Sequence, residues 1–205
     1  MTIIIMIIVA YLLGSIPSGL WIGKYFYHQD IRQEGSGNIG TTNTFRVLGP
    51  RAGVVVLLMD VLKGTLAASQ PYFFHSSVNP LLIGLVASIG HTCSIFDNFH
   101  GGKAVATSAG ILLAYNPLLF SIAAILFISV ILLTSMVSCA SIITVTTVFL
   151  IALTIHDHIL SIISGIITIL IIWRHKSNIH RIIHGNESMV SFGLGNYLRN
   201  HHQSK

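Results

Sequence analysis

The fold is decided by residues 104–156, which read AVATSAGILLAYNPLLFSIAAILFISVILLTSMVSCASIITVTTVFLIALTIH and contain no Asp, Glu, Lys or Arg. Roughly a quarter of the residues in a soluble domain are charged. This 205-residue chain is 8% charged and 53% hydrophobic, and its mean hydropathy is +0.79. Because apolar stretches of about 20 residues can cross a bilayer as helices, the sequence predicts an all-α, polytopic integral membrane protein.

Seven transmembrane helices are predicted from the apolar stretches and the basic residues. Outside residues 104–156, apolar stretches lie near 3–22, 53–70, 78–96 and 159–173. Residues 104–156 hold two comfortable crossings or three short ones, with breaks near Asn116-Pro117 and Ser135–Ser138. Basic residues collect in cytoplasmic loops, and three crossings place the basic tail on the same side as the basic first and third loops. We expect the N-terminus outside and the C-terminus in the cytoplasm; five helices stay open if residues 104–135 do not cross twice.

A single membrane domain is expected over residues 1–205. The tail, residues 188–205, mixes Gly, Asn, His and Ser and is predicted to be a partly flexible cytoplasmic extension, as chain ends often are. The segment before Lys24 lacks the basic region of a secretory signal, so we interpret it as a retained first helix. A net charge of +5 can suggest a nucleic-acid partner. None is predicted here, because the basic residues are dispersed and are not accompanied by aromatic side chains on which bases could stack.

Three polar segments remain between the apolar stretches: residues 35–49, 100–107 and 174–187. All three lie on the predicted cytoplasmic side. We therefore expect any catalysis at the cytoplasmic face of the membrane.

The first polar segment reads GSGNIGTTNTFRVLG. Its glycines match the spacing of the dinucleotide-binding fingerprint, but that site needs a preceding strand and a membrane helix precedes this loop. Its hydrogen-bonding side chains are those of Ser36, Asn38, Thr41, Thr42 and Asn43. Together with backbone N–H groups free to point inward and the guanidinium of Arg46, they favour a seat for a phosphate or oxyanion. A flexible polar loop explains the composition equally well.

The second polar segment places Gly101, Gly102 and Lys103 directly before an apolar helix. Backbone N–H groups at a helix N-terminus and one Lys make a seat for an anion. The spacing is not that of a Walker A loop, which needs an upstream glycine and a Ser or Thr after the Lys. A turn with a basic anchor at the membrane surface is the alternative interpretation.

The third polar segment reads RHKSNIHRIIHGNE. If it is helical, His175 and Asn178 share a face, and an imidazole and an amide can reach one substrate group together. A basic helix resting on anionic lipid headgroups is the alternative.

Two ionisable residues, Asp60 and Lys63, lie inside the second predicted transmembrane helix at i, i+3 spacing. Charges inside a membrane are costly and usually face a wet cavity or each other. The two residues either line the site or form a structural pair, and we favour the pair. Pro17 is expected to kink the first helix.

Taken in order, the three segments resemble the motifs of the bacterial acyl-phosphate-dependent glycerol-3-phosphate acyltransferases, the PlsY family of small membrane enzymes. The first motif resembles Gly35–Arg46 and the second Gly101–Thr107. The third is similar to His175, Asn178, Arg181, Gly185 and Glu187. The resemblance covers nearly the whole chain and implies a seven-helix core. This chain departs from the family pattern at Cys93-Ser94, where Phe-Pro is expected, and at Ala104, where Gly is expected.

The resemblance implies transfer of a fatty acyl group from acyl phosphate to the primary hydroxyl of sn-glycerol 3-phosphate, the first step of phospholipid synthesis. The implied location is the bacterial inner membrane, and the implied partners are these two substrates and membrane lipid. It assigns Ser36 and Arg46 as essential polar residues, Gly101 and Gly102 as the glycerol-phosphate loop, His175 and Asn178 to the active site, and Glu187 to a structural role. We expect Asn38, Thr41, Lys63 and Lys103 to help seat the substrates. The general base stays open between His175 and the donor phosphate.

A small membrane transporter or lipid flippase is the alternative function. Transporter sites lie near the midplane between paired repeats, whereas these polar segments cluster at one face. The His-x-x-x-x-Asp motif of the acyl-thioester-dependent glycerolipid acyltransferases is absent, because Asp97 lies six residues after His91. No metal or other cofactor is expected, since the 6 carboxylates form no cluster in the sequence.

Overall fold

The computed structural model describes residues 1–203; the last two residues of the predicted tail, Ser204 and Lys205, lie outside the described residues. The helices are α1 (Thr2–Ser15), α2 (Ser18–Phe26), α3 (Thr41–Leu48), α4 (Pro50–Phe73), α5 (Pro80–Thr92), α6 (Val105–Tyr115), α7 (Pro117–Thr134), α8 (Val137–Thr154), α9 (His158–Arg174), α10 (Lys176–Ile183) and α11 (Leu194–Gln203). Short 3₁₀ turns occupy Ile31–Gln33 and Ile95–Asp97. Residues 1–203 form no β-strand, which confirms the all-α class for that part of the chain.

The chain contains two compact units. The first covers Met1–Pro117, and the second runs from Leu118 to the end of the described residues. The single membrane domain expected over residues 1–205 stays a prediction.

Glycines bring the helices of the first unit into backbone contact. A Cβ atom on Gly64 of α4 would meet the carbonyl of Thr107 on α6, and one on Gly110 of α6 would meet the carbonyl of Val61 on α4. Thr65 Oγ1 also donates a hydrogen bond to the Gly110 carbonyl at 3.0 Å. Small residues allow this close approach of membrane helices. The N-terminal turn of α6 is thereby fixed against the middle of α4.

Pro17 interrupts the first apolar stretch, as predicted. The axes of α1 and α2 differ by 49° across the break. Since Pro has no backbone N–H and breaks the helical hydrogen-bond ladder, a carbonyl beside it is open to other donors. The Ile16 carbonyl accepts a hydrogen bond from Lys63 Nζ at 2.7 Å. The kink is therefore part of the polar cluster described below.

The second unit is built on α8 packed against α9, and its C-terminal segment is anchored to the turn between α7 and α8. The backbone N–H of Val190 donates to the Ser135 carbonyl at 2.8 Å, and that of Asn196 donates to Ser135 Oγ at 2.9 Å. Residues 194–203 then form α11. The predicted tail thus has regular structure over much of its described part.

Within residues 1–203, three helices are long and apolar enough to span a membrane: α4, α7 and α8. Two bent pairs, α1 with α2 and α9 with α10, raise the number of candidate spans to 5, and α5 and α6 are shorter apolar helices. The helices break between Tyr115 and Pro117 and between Thr134 and Val137. These are the two breaks predicted within the uncharged stretch.

Candidate active site

A buried carboxylate on α4 forms the centre of a polar cluster in the first unit. Asp60 is 2% exposed, and it accepts hydrogen bonds from Ser18 Oγ at 2.9 Å and from Thr41 Oγ1 at 3.3 Å. Lys63 Nζ lies 2.8 Å from Asp60 Oδ1. A buried charge is tolerated only when it is paired and hydrogen-bonded. The carboxylate therefore holds α2, α3 and α4 together.

Lys63 is fully committed to this cluster. Its side chain is 4% exposed, and its ammonium group binds both Asp60 and the Ile16 carbonyl. Its sequence position is compatible with two roles, a ligand of the substrate and a structural partner of Asp60. These contacts favour the structural pair over a phosphate ligand.

The first polar loop, residues 35–40, is held in shape by a side chain from α3. Asn43 is 1% exposed. Its Oδ1 accepts a hydrogen bond from the Ser36 N–H at 2.8 Å, and its Nδ2 donates to the carbonyls of Ile31 at 2.9 Å and Glu34 at 3.1 Å. Asn43, grouped in the sequence with the hydrogen-bonding side chains of a phosphate seat, is therefore a scaffold residue of the loop.

The backbone N–H groups of this loop are partly occupied. Gly37 donates to the Glu34 carbonyl at 3.0 Å, and Gly40 donates to Asn38 Oδ1 at 2.9 Å. With Ser36 bound to Asn43, three N–H groups that were expected to point freely toward an anion are used inside the loop. That expectation was wrong for these three groups.

Ser36 and Arg46 project from this scaffold to solvent. Both residues are exposed, and neither side chain forms a hydrogen bond or ion pair with another residue in 1–203. Gly35 has φ +61, and a Cβ atom there would meet Asn43 Oδ1, with Arg46 Cδ at 3.3 Å. Gly35 thus lets the loop lie directly against α3. The guanidinium of Arg46 stands beside the loop with its charge uncompensated by described residues.

The second polar loop, residues 101–103, is packed against the end of α5. Gly102 N–H donates to the His91 carbonyl at 3.0 Å. Cβ atoms on Gly101 and Gly102 would meet the backbone of His91 and Thr92 and the imidazole of His91, respectively. α6 begins at Val105, two residues after Lys103. The loop leads directly into a helix N-terminus, as predicted, but the Gly102 N–H is already used.

The second unit carries a separate polar cluster around Glu187. This residue is 4% exposed. It accepts hydrogen bonds from Ser138 Oγ at 2.8 Å, Asn178 Nδ2 at 2.7 Å and Arg181 Nε at 2.8 Å. Burial acts to raise the pKa of Glu187, but the hydrogen bonds from Asn178, Ser138 and Arg181 outweigh it and hold the pKa below its usual value. The contacts support the structural role expected for this carboxylate.

His175 lies at the break between α9 and α10. The two helices are bent by 61°, so the continuous helix considered for this segment is interrupted at that residue. The imidazole is 3% exposed, and its Nδ1 lies 2.8 Å from the Ile171 carbonyl oxygen. Since a carbonyl oxygen only accepts, Nδ1 carries the proton in this hydrogen bond. In the neutral ring, the basic lone pair is then on Nε2.

The structure gathers the predicted site residues within each unit. In the first unit lie Ser36, Asn38, Thr41, Arg46, Lys63, Gly101, Gly102 and Lys103, and in the second lie His175, Asn178 and Glu187. Direct contacts link Thr41 and Lys63 through Asp60, and Asn178 with Glu187.

The chain matches the family model described as glycerol-3-phosphate acyltransferase over residues 4–185. It belongs to this family. A glycerol-3-phosphate acyltransferase from Limosilactobacillus reuteri (strain DSM 20016) is 71% identical over 205 residues, covering 99% of this chain and 98% of the relative. One from Levilactobacillus brevis is 55% identical over 204 residues, covering 97% of this chain and 99% of the relative.

Solved structures with the same fold are crystal structures of PlsY (YgiH), an integral membrane glycerol 3-phosphate acyltransferase. The glycerol 3-phosphate form superposes with a TM-score of 0.85 at 35% identity, covering 91% of this chain and 94% of that chain. The lysophosphatidic acid form gives a TM-score of 0.81 at 34% identity, with the same coverage. Family membership favours the enzyme over the transporter alternative.

Sequence reasoning missed the contribution of His91. The imidazole is 7% exposed, and its Nδ1 lies 3.1 Å from Thr107 Oγ1 and 3.9 Å from Asp60 Oδ1. A histidine at the end of an apolar helix was a usable signal. Otherwise, in the sequence, His91 is informative only through its spacing to Asp97, which excludes the thioester-dependent motif.

Proposed function

We propose that this protein transfers a fatty acyl group from acyl phosphate to the primary hydroxyl of sn-glycerol 3-phosphate, giving lysophosphatidic acid and inorganic phosphate. One observation carries the proposal beyond family membership. Both glycine-containing loops of the first unit are tied to the same buried cluster, the first through Thr41 and Asp60 and the second through His91. Two loops in contact with one cluster suit a reaction that must hold two phosphate-bearing substrates.

The proposed chemical step is a direct transfer. The hydroxyl oxygen of glycerol 3-phosphate attacks the carbonyl carbon of the mixed anhydride and forms the new ester bond. The bond between that carbon and the bridging phosphate oxygen breaks, and inorganic phosphate leaves. The hydroxyl proton passes to a base. Because the acyl group is already activated, no covalent acyl-enzyme is needed.

The main task of the protein is then to bring two anions together. Phosphates repel each other, and fixed cations with a hydrogen-bonding shell offset that repulsion. We assign this role to Arg46 and Lys103, with Ser36 orienting substrate oxygens beside Arg46. The exposed hydroxyl of Ser36 and the guanidinium of Arg46, which forms no ion pair with a described side chain, support this assignment. Asn38 and Thr41 shape the same loop and are proposed to border the substrate.

His175 is the proposed general base, and Asn178 its neighbour in the active site. The hydrogen bond from Nδ1 to the Ile171 carbonyl supports this role, because it fixes the tautomer that has its lone pair on Nε2. A phosphate oxygen of the donor is the alternative acceptor for the proton. The variant His175→Gln distinguishes between these two proton acceptors.

We further propose seven membrane crossings in the bacterial inner membrane, with the N-terminus outside and the active site at the cytoplasmic face. The three long helices, two bent pairs and two shorter apolar helices provide the segments for this count. The absence of Lys and Arg from residues 75–79, 115–117 and 156–158 supports these as outer turns.

The activity test uses purified protein in detergent with palmitoyl phosphate and glycerol 3-phosphate. Equal amounts of lysophosphatidic acid and phosphate are expected, with neither released when glycerol 3-phosphate is omitted. Phosphate release without the acceptor, together with acylated protein by intact mass, would contradict direct transfer. Absence of product from folded protein would contradict the function.

The topology test uses single-cysteine variants, His156→Cys and His184→Cys, in a background in which Cys93 and Cys139 are Ala. A membrane-impermeant maleimide is expected to label the first in intact cells and the second only after permeabilisation. The reverse pattern would overturn the proposed orientation, and labelling of both in intact cells would overturn the crossing count.

A further inference from the structure

His91 is a nearly buried imidazole to which neither the family resemblance nor the reaction above gives a role. It occupies the last turn of α5 and is 7% exposed. Its backbone carbonyl accepts the hydrogen bond from Gly102 N–H at 3.0 Å. His91 thus contacts the second polar loop in two ways: its backbone carbonyl accepts a hydrogen bond from the loop, and its imidazole lies beside Gly102.

The imidazole fills the place that a side chain on Gly102 would need. A Cβ atom built on Gly102 would meet Nε2 of His91, with Cδ2 and Cε1 of the ring next nearest. A Cβ atom on Gly101 would meet the His91 carbonyl. The loop therefore lies against this one residue at both of its glycines, and its backbone shape depends on where the ring stands.

The other side of the ring is fixed by two different helices. Nδ1 lies 3.1 Å from Thr107 Oγ1 in the first turn of α6 and 3.9 Å from Asp60 Oδ1 on α4. Asp60 in turn accepts a hydrogen bond from Thr41 at 3.3 Å. His91 therefore stands between the second polar loop and the carboxylate to which the first polar loop is attached.

We propose that His91 is a positioning residue: its imidazole holds Gly101 and Gly102 in the shape that seats the phosphate of glycerol 3-phosphate. The proposal rests on the function proposed above, in which this loop contacts the acceptor substrate. His91 itself does not touch substrate. It acts through the backbone of the loop, and so its loss changes the affinity for the acceptor while the affinity for the acyl donor stays the same.

Three substitutions separate positioning from simple packing. His91→Ala removes the ring, and we expect the KM for glycerol 3-phosphate to rise about tenfold, with less than about a threefold change in the KM for palmitoyl phosphate. His91→Asn keeps a hydrogen-bonding atom near the Nδ1 position but lacks the Nε2 edge that faces Gly102, and it is expected to restore only part of the affinity. His156→Asn, in an exposed turn where φ is +57, is the matched histidine control and leaves both KM values unchanged.

The decisive measurement is a double-mutant cycle with Gly102→Ala. In the wild-type background the new methyl group meets the imidazole, and we expect a large rise in the KM for glycerol 3-phosphate. In the His91→Ala background the same substitution has room, so its effect is expected to be several-fold smaller. If His91→Ala does not yield folded protein, the cycle is measured in the His91→Asn background, where the ring is also absent.

Equal effects of Gly102→Ala in the two backgrounds would overturn the proposal, and so would parallel changes in the KM values of both substrates. Wild-type protein that forms no lysophosphatidic acid would overturn the proposed function itself. An active wild type with an additive cycle would overturn only the role of His91.

Discussion

Arg32 Nη1 lies 2.6 Å from Asp97 Oδ1, so an ion pair joins the turn before the first polar loop to the turn before the second. The Asp97 side chain is 4% exposed, whereas that of Arg32 is 39% exposed. Arg32 also binds Asp30 at 2.6 Å, and the hydrogen bond from its guanidinium holds the pKa of Asp30 well below the usual range. The guanidinium of Arg32 therefore binds Asp30 through Nε and Nη2 and binds Asp97 through Nη1.

Replacing Asp97 with Asn tests this connection. The substitution leaves Arg32 with a weaker partner at a nearly buried position, and we expect a loss of about 1–2 kcal/mol of stability. The loss is read as a lower thermal midpoint in detergent. Glu34→Gln removes an exposed negative charge from the same region and is expected to change the midpoint by less. Equal midpoints for the two variants would mean that the ion pair does not stabilise the loops.

The hydrogen bonds to Glu187 predict a dependence of stability on pH. Because its pKa is lower in the folded protein than in the unfolded chain, the carboxylate stabilises the fold fully above the unfolded value of about 4.3. That contribution is lost as the pH falls through the lower, folded pKa. We expect the thermal midpoint of the wild type to fall on acidification more steeply than that of Glu187→Gln.

At neutral pH, Glu187→Gln is expected to cost about 1–3 kcal/mol, since three donors lose a charged acceptor. The gap between variant and wild type should narrow in acid. Glu34→Gln again controls for net charge. A gap that stays constant as the pH is lowered from 7 to well below the unfolded value of about 4.3, through the lower folded pKa, would show that the charge of Glu187 does not contribute.

The pair of Asp60 and Lys63 allows a test of its structural role. Removing one partner of a buried ion pair costs about 3–5 kcal/mol, because the other charge is left uncompensated. We therefore expect Asp60→Asn or Lys63→Met alone to destabilise strongly, and the double variant to be more stable than the sum of the single effects predicts. If Lys63 instead binds phosphate, the double variant would have a greatly raised KM for a substrate even where its stability is recovered.

His175→Gln tests the general base. If Nε2 accepts the hydroxyl proton, kcat is expected to fall by about 10²–10⁴-fold with little change in either KM. Ser177→Ala, an exposed neighbour on α10, serves as the control. A change mainly in KM would make His175 a binding residue and would assign the proton to the donor phosphate.

The fold class, the Pro17 kink and the two breaks in the uncharged stretch could be predicted because each depends on local sequence. Charge density and apolar length identify membrane helices, and Pro interrupts a helix wherever it stands. The two compact units could not be predicted in this way. They depend on which helices pack together, and the close contacts at Gly64 and Gly110 leave no periodic signal in the chain.

The candidate site was predicted in composition but only partly in geometry. Polar segments are easy to recognise between apolar stretches. Ser36, Arg46 and Glu187 could therefore be predicted as functional or structural residues. The use of Asn43 as a scaffold and the approach of His91 to Gly102 depend on tertiary contacts between residues far apart in sequence. The polar, glycine-rich composition of the first loop indicated a phosphate seat but could not show that several loop N–H groups bind their own chain.

The measurement that tests the central claim most directly compares acyl donors with one preparation of the wild-type protein. Palmitoyl phosphate, palmitoyl-CoA and palmitoyl-carrier protein are each supplied with glycerol 3-phosphate, and lysophosphatidic acid is quantified. We expect turnover with palmitoyl phosphate alone, with one phosphate released for each product molecule. Turnover with a thioester donor at a comparable kcat/KM, or none with palmitoyl phosphate, would contradict the account.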